Sequence, residues 1–185
     1  TYTSDSAYER GSGVQYNAIK YFIESQNCDA VGGGVVIFAA GNDATAMSGY
    51  PGAYHDYISV TSFSPDYLPA YYTNYGPGCN ISAPGGDYKI SADAAKTYAE
   101  VLSTVPSELS EYNGADYGFM QGTSMACPHV SGVAALGLSY ALEKGKKFTL
   151  DEFKTMILTS VNDMETYLDG SKTCLLYTSD AADEE

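Results

Sequence analysis

The chain has 185 residues and a formal net charge of −14, from 9 Lys+Arg against 23 Asp+Glu. That acidity excludes nucleic acid and anionic membrane surfaces as partners, because phosphate binding needs a basic footprint. Hydrophobic residues at 44% and charged residues at 17% describe a folded globular chain, no apolar run approaches the ~18 residues of a membrane span, and the length fits one domain or most of a larger one.

Thr1 is not a Met and no leader-like segment precedes it, which reads as a processed protein or a fragment. Residues 1–12 are polar and turn-rich. From Val14 an apolar stripe through Ala18, Phe22 and Ile23 predicts a helix to about Cys28, ended by Gly32-Gly33-Gly34. Val35 to Ala40 then reads as a strand buried on both faces. Helix followed by buried strand is the pattern of an α/β fold with a mostly parallel sheet. Asn42 to Tyr57 is loop-like. Ile58 to Phe63 alternates, so it is a strand with one face more buried. Cys79 to Ala83 is a short strand closed by Pro84-Gly85-Gly86, and residues 87–117 read as a surface excursion.

A long helix is predicted from Ser124 to Lys144, with Gly145 as its stop. Gly132 and Gly137 inside it each cost about 1 kcal/mol against Ala, so close packing against a neighbour is expected to offset them. Thr149 and Glu152 have capping-box spacing and open a helix running to about Val161. From Cys174 the chain loses all periodicity and ends in acids. The expected organisation is therefore one partial domain over 1–173 and a non-native or disordered tail over 174–185. The four cysteines, Cys28, Cys79, Cys127 and Cys174, show no CxxC or zinc spacing. They read as mostly buried thiols, with one structural disulfide as the alternative. No metal ligand set is visible.

Gly122-Thr123-Ser124-Met125-Ala126-Cys127-Pro128-His129-Val130-Ser131-Gly132 is the most specific segment. A Ser at the junction into a long helix lies among free N–H groups and the positive end of the helix dipole. Negative charge developing on a substrate oxygen would be stabilised there. The plainer reading is a Ser used as an N-cap.

The segment resembles the nucleophile motif of the subtilisin-like serine proteases, Gly-Thr-Ser-Met-Ala-x-Pro-His-Val-x-Gly, at every fixed position. Phe38-Ala39-Ala40-Gly41-Asn42 resembles that family's strand ending in Ala-Ala-Gly-Asn, 82 positions before the Ser. Gly49-Tyr50-Pro51-Gly52, Ile58-Ser59-Val60-Thr61 and Asn80-Ile81-Ser82-Ala83-Pro84-Gly85 match further blocks, so the resemblance covers about residues 11–165. It implies a three-layer subtilisin-like fold whose mostly parallel sheet is incomplete at its N-terminal side. It implies Ser124 as nucleophile, with its own N–H and Asn42 forming the oxyanion hole. Ala39, Ala40, Gly41, Gly49, Gly122 and Thr123 become substrate-binding positions. Gly49 at the pocket floor, with Ala39 and Ala40 on its wall, implies preference for a bulky apolar residue before the cut. The family also implies a secreted or cell-surface, monomeric endopeptidase acting on peptide or protein. It needs no cofactor, although structural calcium occurs in complete family members.

The departure is the triad. The family's order is Asp, His, Ser, and the 41 residues before Asn42 contain no His. His55 and His129 come later and read as solvated or structural, so the missing Asp and His are expected outside this sequence and the chain alone is expected to be inactive. Two other readings compete. An α/β-hydrolase esterase wants Gly-x-Ser-x-Gly, where this chain has Gly122-x-Ser124-x-Ala126. A non-catalytic peptide-binding relative would have no need for both Ser124 and Asn42.

Overall fold

The computed structural model describes residues 2–25, 28–89, 99–108, 114–162 and 164. Strands β1 (Ile37–Ala39), β2 (Ile58–Phe63) and β3 (Ile81–Pro84) form a parallel sheet in the order β1-β2-β3. Ile37 pairs with Ile58 and Val60 with Ile81. Side chains alternate across the pleat, so Ile37, Ile58, Val60 and Ile81 share one face. There they meet Ala126, Val130 and Ala134 of helix α3 (Thr123–Glu143) and Phe153 and Ile157 of helix α4 (Leu150–Thr159). Val36 and Phe38 face the other way. They pack with Tyr8 of helix α1 (Asp5–Gly11), Tyr16, Ile19 and Ile23 of helix α2 (Gly13–Glu24), and Tyr50, Tyr54 and Tyr57 of the loop before β2. The result is the expected α/β arrangement of helices on both faces of a parallel sheet.

Several local expectations are corrected. Residues 1–12 were expected to be turns, yet Asp5–Gly11 is helical, N-capped by Ser4, whose hydroxyl accepts from the Ala7 N–H at 3.3 Å. Its single central anchor, fully buried Tyr8, is too little to make a visible apolar stripe. The helix expected to reach Cys28 stops at Glu24 and buries no residue fully, and Val14 is 88% exposed. β1 was expected to be buried on both faces but is half-buried, because it lies at the edge of the described sheet. Beyond that edge runs an open groove of about 630 Å³ between Ala18, Ile19 and Phe22 on one side and Ala134, Ala135 and Leu138 on the other. β2 was expected to have one wetter face; as the central strand it buries both. Its polar side chains find partners there: Ser59 with Ser48 at 2.7 Å, Thr61 with the Ile81 carbonyl at 3.4 Å, and Ser62 with Tyr72 at 2.8 Å.

Residues 87–117, expected to be a surface excursion, contribute to an exposed antiparallel ribbon of β4 (Val101–Thr104) and β5 (Tyr117–Met120). Most of its side chains are exposed, so no alternation marks it in sequence. The boundary expected at 174 lies outside the described residues. Cys79 is buried, Cys28 and Cys127 are half-buried, and the Cys127 thiol donates to the Ile37 carbonyl at 3.6 Å.

α3 is long and apolar enough to cross a membrane by length and composition alone. One face packs on the sheet through Ala126, Val130 and Ala134, while Val133, Leu136 and Tyr140 stay exposed on the other. Close packing was expected at both of its glycines. Gly137 has it in ordinary form, 3.6 Å from an added Cβ to the Phe153 ring, whereas a Cβ on Gly132 meets nothing within 4 Å. Gly132→Ala should therefore stabilise this chain by about 1 kcal/mol, the helix-propensity difference. A lower urea midpoint for the variant would contradict that.

α4 carries the expected capping box. The Thr149 hydroxyl accepts from the Glu152 N–H at 3.2 Å, and Glu152 accepts from the Thr149 N–H at 2.8 Å. Removing such a cap costs about 1 kcal/mol, so Thr149→Ala is expected to lower the urea midpoint. The Thr149 backbone N–H, then its side chain, hold the Glu152 carboxyl below its ordinary value. A carboxylate lowered in the folded state contributes stability above its unfolded-state value, lost as pH falls through the folded one. The wild-type advantage over Glu152→Ala should thus narrow in acid; an advantage that widens there would sink this account.

Candidate active site

The N-terminus of α3 is capped from a distance. Its N-cap is Gly122, at φ 148°, where glycine is favoured, and no side chain at that position bonds the first turn. Asn42, just beyond β1, supplies the acceptor instead. Its Oδ1 receives the Thr123 N–H and the Thr123 hydroxyl, both at 2.9 Å. Thr123 Oγ1 in turn receives the Gly41 N–H at 3.3 Å. Ser124 is therefore not the N-cap; it is the second helical residue and solvent-exposed. Among the described residues its N–H and hydroxyl meet no hydrogen-bonding partner.

The two bonds from Thr123 fix the Asn42 amide by its network. Oδ1 faces Thr123, and Nδ2 lies beside Gly122, 3.5 Å from where a Cβ on that glycine would stand. An N–H donor with no acceptor on Ser124 and a side-chain donor on Asn42 thus flank the positive end of a 21-residue helix. An anionic oxygen would be stabilised in that setting.

Two glycines permit the approach. Gly41 has φ 108°, and a Cβ there would collide with Nδ2 of Asn74. Asn74, 2% exposed, ties the strand end together: it donates to the Ala40 carbonyl at 3.0 Å and accepts from the N–H groups of Asp43 at 2.9 Å and Thr45 at 3.3 Å. Gly85, after β3, accepts from the Gly122 N–H at 2.9 Å, and a Cβ there would collide with Ser62 and the Gly122 carbonyl. Sequence reading missed Asn74, because an Asn between Thr73 and Tyr75 looks like any turn residue.

The Gly49–Gly52 loop lies across the end of β1. The Gly49 N–H donates to the Ala40 carbonyl at 3.3 Å, and a Cβ on Gly52 would stand 3.4 Å from the Ala39 carbonyl. A Cβ on Gly49 would meet nothing within 4 Å, so its open side faces space. The Tyr50 hydroxyl donates to Asp5 at 2.7 Å. Burial, then that carboxylate, push the phenol up to about 12. Structure thus brings Ala39, Ala40, Gly41, Asn42, Gly49, Gly122, Thr123 and Ser124 into one neighbourhood. Ser124 itself opens into a shallow cleft of about 300 Å³ bounded by Val101, Leu102 and Ser103 of β4 and by Met125, Pro128 and His129.

Among the described residues neither imidazole hydrogen-bonds Ser124. His129 donates through Nδ1 to the Met125 carbonyl, 2.8 Å away on its own helix. His55 lies 2.6 Å from Asp5 and 3.4 Å from Asp56, with its side chain 61% exposed. Among the described residues no group of three or more His, Cys, Asp or Glu could hold a metal ion. The strand before Ser124, β5, belongs to the antiparallel ribbon, not the central sheet. An esterase elbow needs a strand of the main sheet there.

A family model described as Subtilase family matches residues 2–175. The extracellular basic protease of Dichelobacter nodosus is 30% identical over 160 residues, covering 86% of this chain and 24% of that protein. The extracellular protease of Xanthomonas campestris pv. campestris is 38% identical over 110 residues, covering 59% and 17%. Among solved structures, the prenylagaramide maturation protease PagA superposes with a TM-score of 0.64 at 23% identity, over 94% of this chain and 52% of that one, a likeness of fold alone. The proteases from Pseudoalteromonas arctica PAMC 21717 give a TM-score of 0.56 at 34% identity, over 71% and 37%. The chain spans about a quarter or less of these curated relatives and about half or less of these solved chains.

Proposed function

We propose, from the premise that this chain belongs to the subtilase family, that it is the C-terminal part of the catalytic domain of a serine endopeptidase. Ser124 attacks the scissile carbonyl; the C–N bond breaks, the amine leaves carrying the proton taken from the serine, and water hydrolyses the acyl-enzyme to free the acid and restore the serine. The carbonyl oxygen, turning anionic, receives hydrogen bonds from Asn42 Nδ2 and the Ser124 N–H. A His and an Asp from sequence outside this chain take the serine proton and orient the base. The observation that carries the reading is the Asn42–Thr123 link, because it holds the side-chain donor at the nucleophile's helix end with its acceptor already occupied.

The substrate is a peptide or protein, bound with the residue before the cut over Gly49 and against Ala39; Ala40, 1% exposed, supports that wall from behind. The acyl-transfer chemistry needs no cofactor. Two relatives are named extracellular proteases, which supports secretion; a monomer suffices for this chemistry.

The open space over Gly49 leads to a specific expectation. The complete polypeptide should prefer a bulky apolar residue before the cut, and Gly49→Val should shift preference toward Ala. A peptide library cleaved chiefly after Lys or Arg would contradict the reading of the pocket. A complete polypeptide that binds peptides and cleaves none would favour the non-catalytic alternative.

A further inference from the structure

We infer that Asp5 is a positioning residue for the substrate pocket, acting through Tyr50 and the loop that carries it. This rests on the reading of Gly49–Gly52 as the pocket floor. Asp5 opens α1, in the layer across the sheet from α3. Its two carboxylate oxygens divide their work: Oδ1 accepts the Tyr50 hydroxyl at 2.7 Å, and Oδ2 meets Nδ1 of His55 at 2.6 Å. Both partners belong to the loop between β1 and β2, and Tyr50 directly follows Gly49. Hydrogen bonds to an ionised acceptor are about twice as strong as neutral ones, and a half-buried hydroxyl stripped of its acceptor is costly.

The rest of the loop is held elsewhere. Tyr54 donates to Glu9 at 2.8 Å, and Lys154 Nζ donates to the Asp56 carbonyl at 2.9 Å. Those contacts grip the loop's far end, and the Gly49 N–H bond to the Ala40 carbonyl ties its start to β1; the side-chain hydrogen bond that holds Tyr50 between them comes from Asp5. Tyr8, fully buried, keeps α1 seated, its ring 5.6 Å from that of Tyr50 and 5.4 Å from that of Tyr54. An element on the opposite layer from the nucleophile thereby sets the height of the floor without touching substrate.

The test uses the complete polypeptide and a peptide series carrying Ala, Leu or Phe before the cut. Asp5→Ala and Tyr50→Phe should each lower the Phe-to-Ala ratio of kcat/KM by about ten-fold, the equivalent of one hydrogen bond to a charged group. The change should fall on KM, with kcat for the Ala peptide retained, and the double variant should add nothing further. Ser4→Ala, which removes the cap of the same helix, should leave the ratio unchanged. An unchanged ratio in Asp5→Ala, or an equal change in Ser4→Ala, overturns the inference. Hydrogen exchange on the 185-residue chain gives an independent reading: the amides of Gly49, Tyr50 and Gly52 should exchange faster in Asp5→Ala and not in Ser4→Ala. If the wild-type polypeptide cleaves no peptide, the proposed activity has failed, and the exchange result alone still decides whether Asp5 holds the loop.

Discussion

The 185-residue chain on its own should turn over no chromogenic peptide, while Ser124→Ala in the complete polypeptide should lower kcat by about 10⁶, as nucleophile removal does in subtilisin. The reasoning is local. A serine hydroxyl is un-ionised at neutral pH and needs a base within hydrogen-bond reach. The Ser124 hydroxyl has no such partner among the described residues. His129 uses Nδ1 on the Met125 carbonyl, and His55 stands between Asp5 and Asp56. Fluorophosphonate labelling of Ser124 should likewise be weak in the isolated chain and strong in the complete polypeptide. Robust turnover by the isolated chain, abolished by Ser124→Ala, would show that a base is present and that the triad assignment is wrong.

Asn42→Asp in the complete polypeptide should cost about 10²–10³ in kcat with KM little changed, the size measured for the equivalent donor in subtilisin. An Asp is nearly isosteric and can still accept from the Thr123 N–H and hydroxyl, so the cap on α3 survives. What disappears is the Nδ2 donor, replaced by a negative oxygen where negative charge has to develop. Asn42→Ala removes both functions and should lower thermal stability as well, by about 1 kcal/mol for the lost cap. The pair therefore separates chemistry from scaffold. Retained kcat in Asn42→Asp would remove Asn42 from the oxyanion site.

The motifs were legible because glycine, proline and the helix junction constrain neighbouring residues together. Gly122-Thr123-Ser124 and Ala40-Gly41-Asn42 were each visible as strings, and the structure joins them through a single side chain. Their contact across 81 positions could not be read, since neither string specifies its partner. α3 was legible by length and apolarity, and α4 by its box. β2 misled because Ser59 and Thr61 imitate a wet face, whereas each finds a partner in the interior. α1 was hidden because its hold on the fold is one buried tyrosine and two carboxylates, and a carboxylate that grips a loop 45 residues away looks like solvated charge. The β4–β5 ribbon was hidden for the opposite reason: its strands bury little, so nothing alternates.

The groove beside β1 makes the stability of this half a property of its company. A strand laid along that edge would fill apolar volume between α2 and α3 and contribute favourably only while it is bound. The folded population then follows mass action: a separate piece stabilises in proportion to the logarithm of its concentration over its dissociation constant. Joined in one polypeptide, the same piece arrives at an effective concentration of about millimolar for a short connection, whatever the dilution. Cutting that connection would leave every contact of the uncut polypeptide available, yet would turn an intrinsic stability into one that fades on dilution.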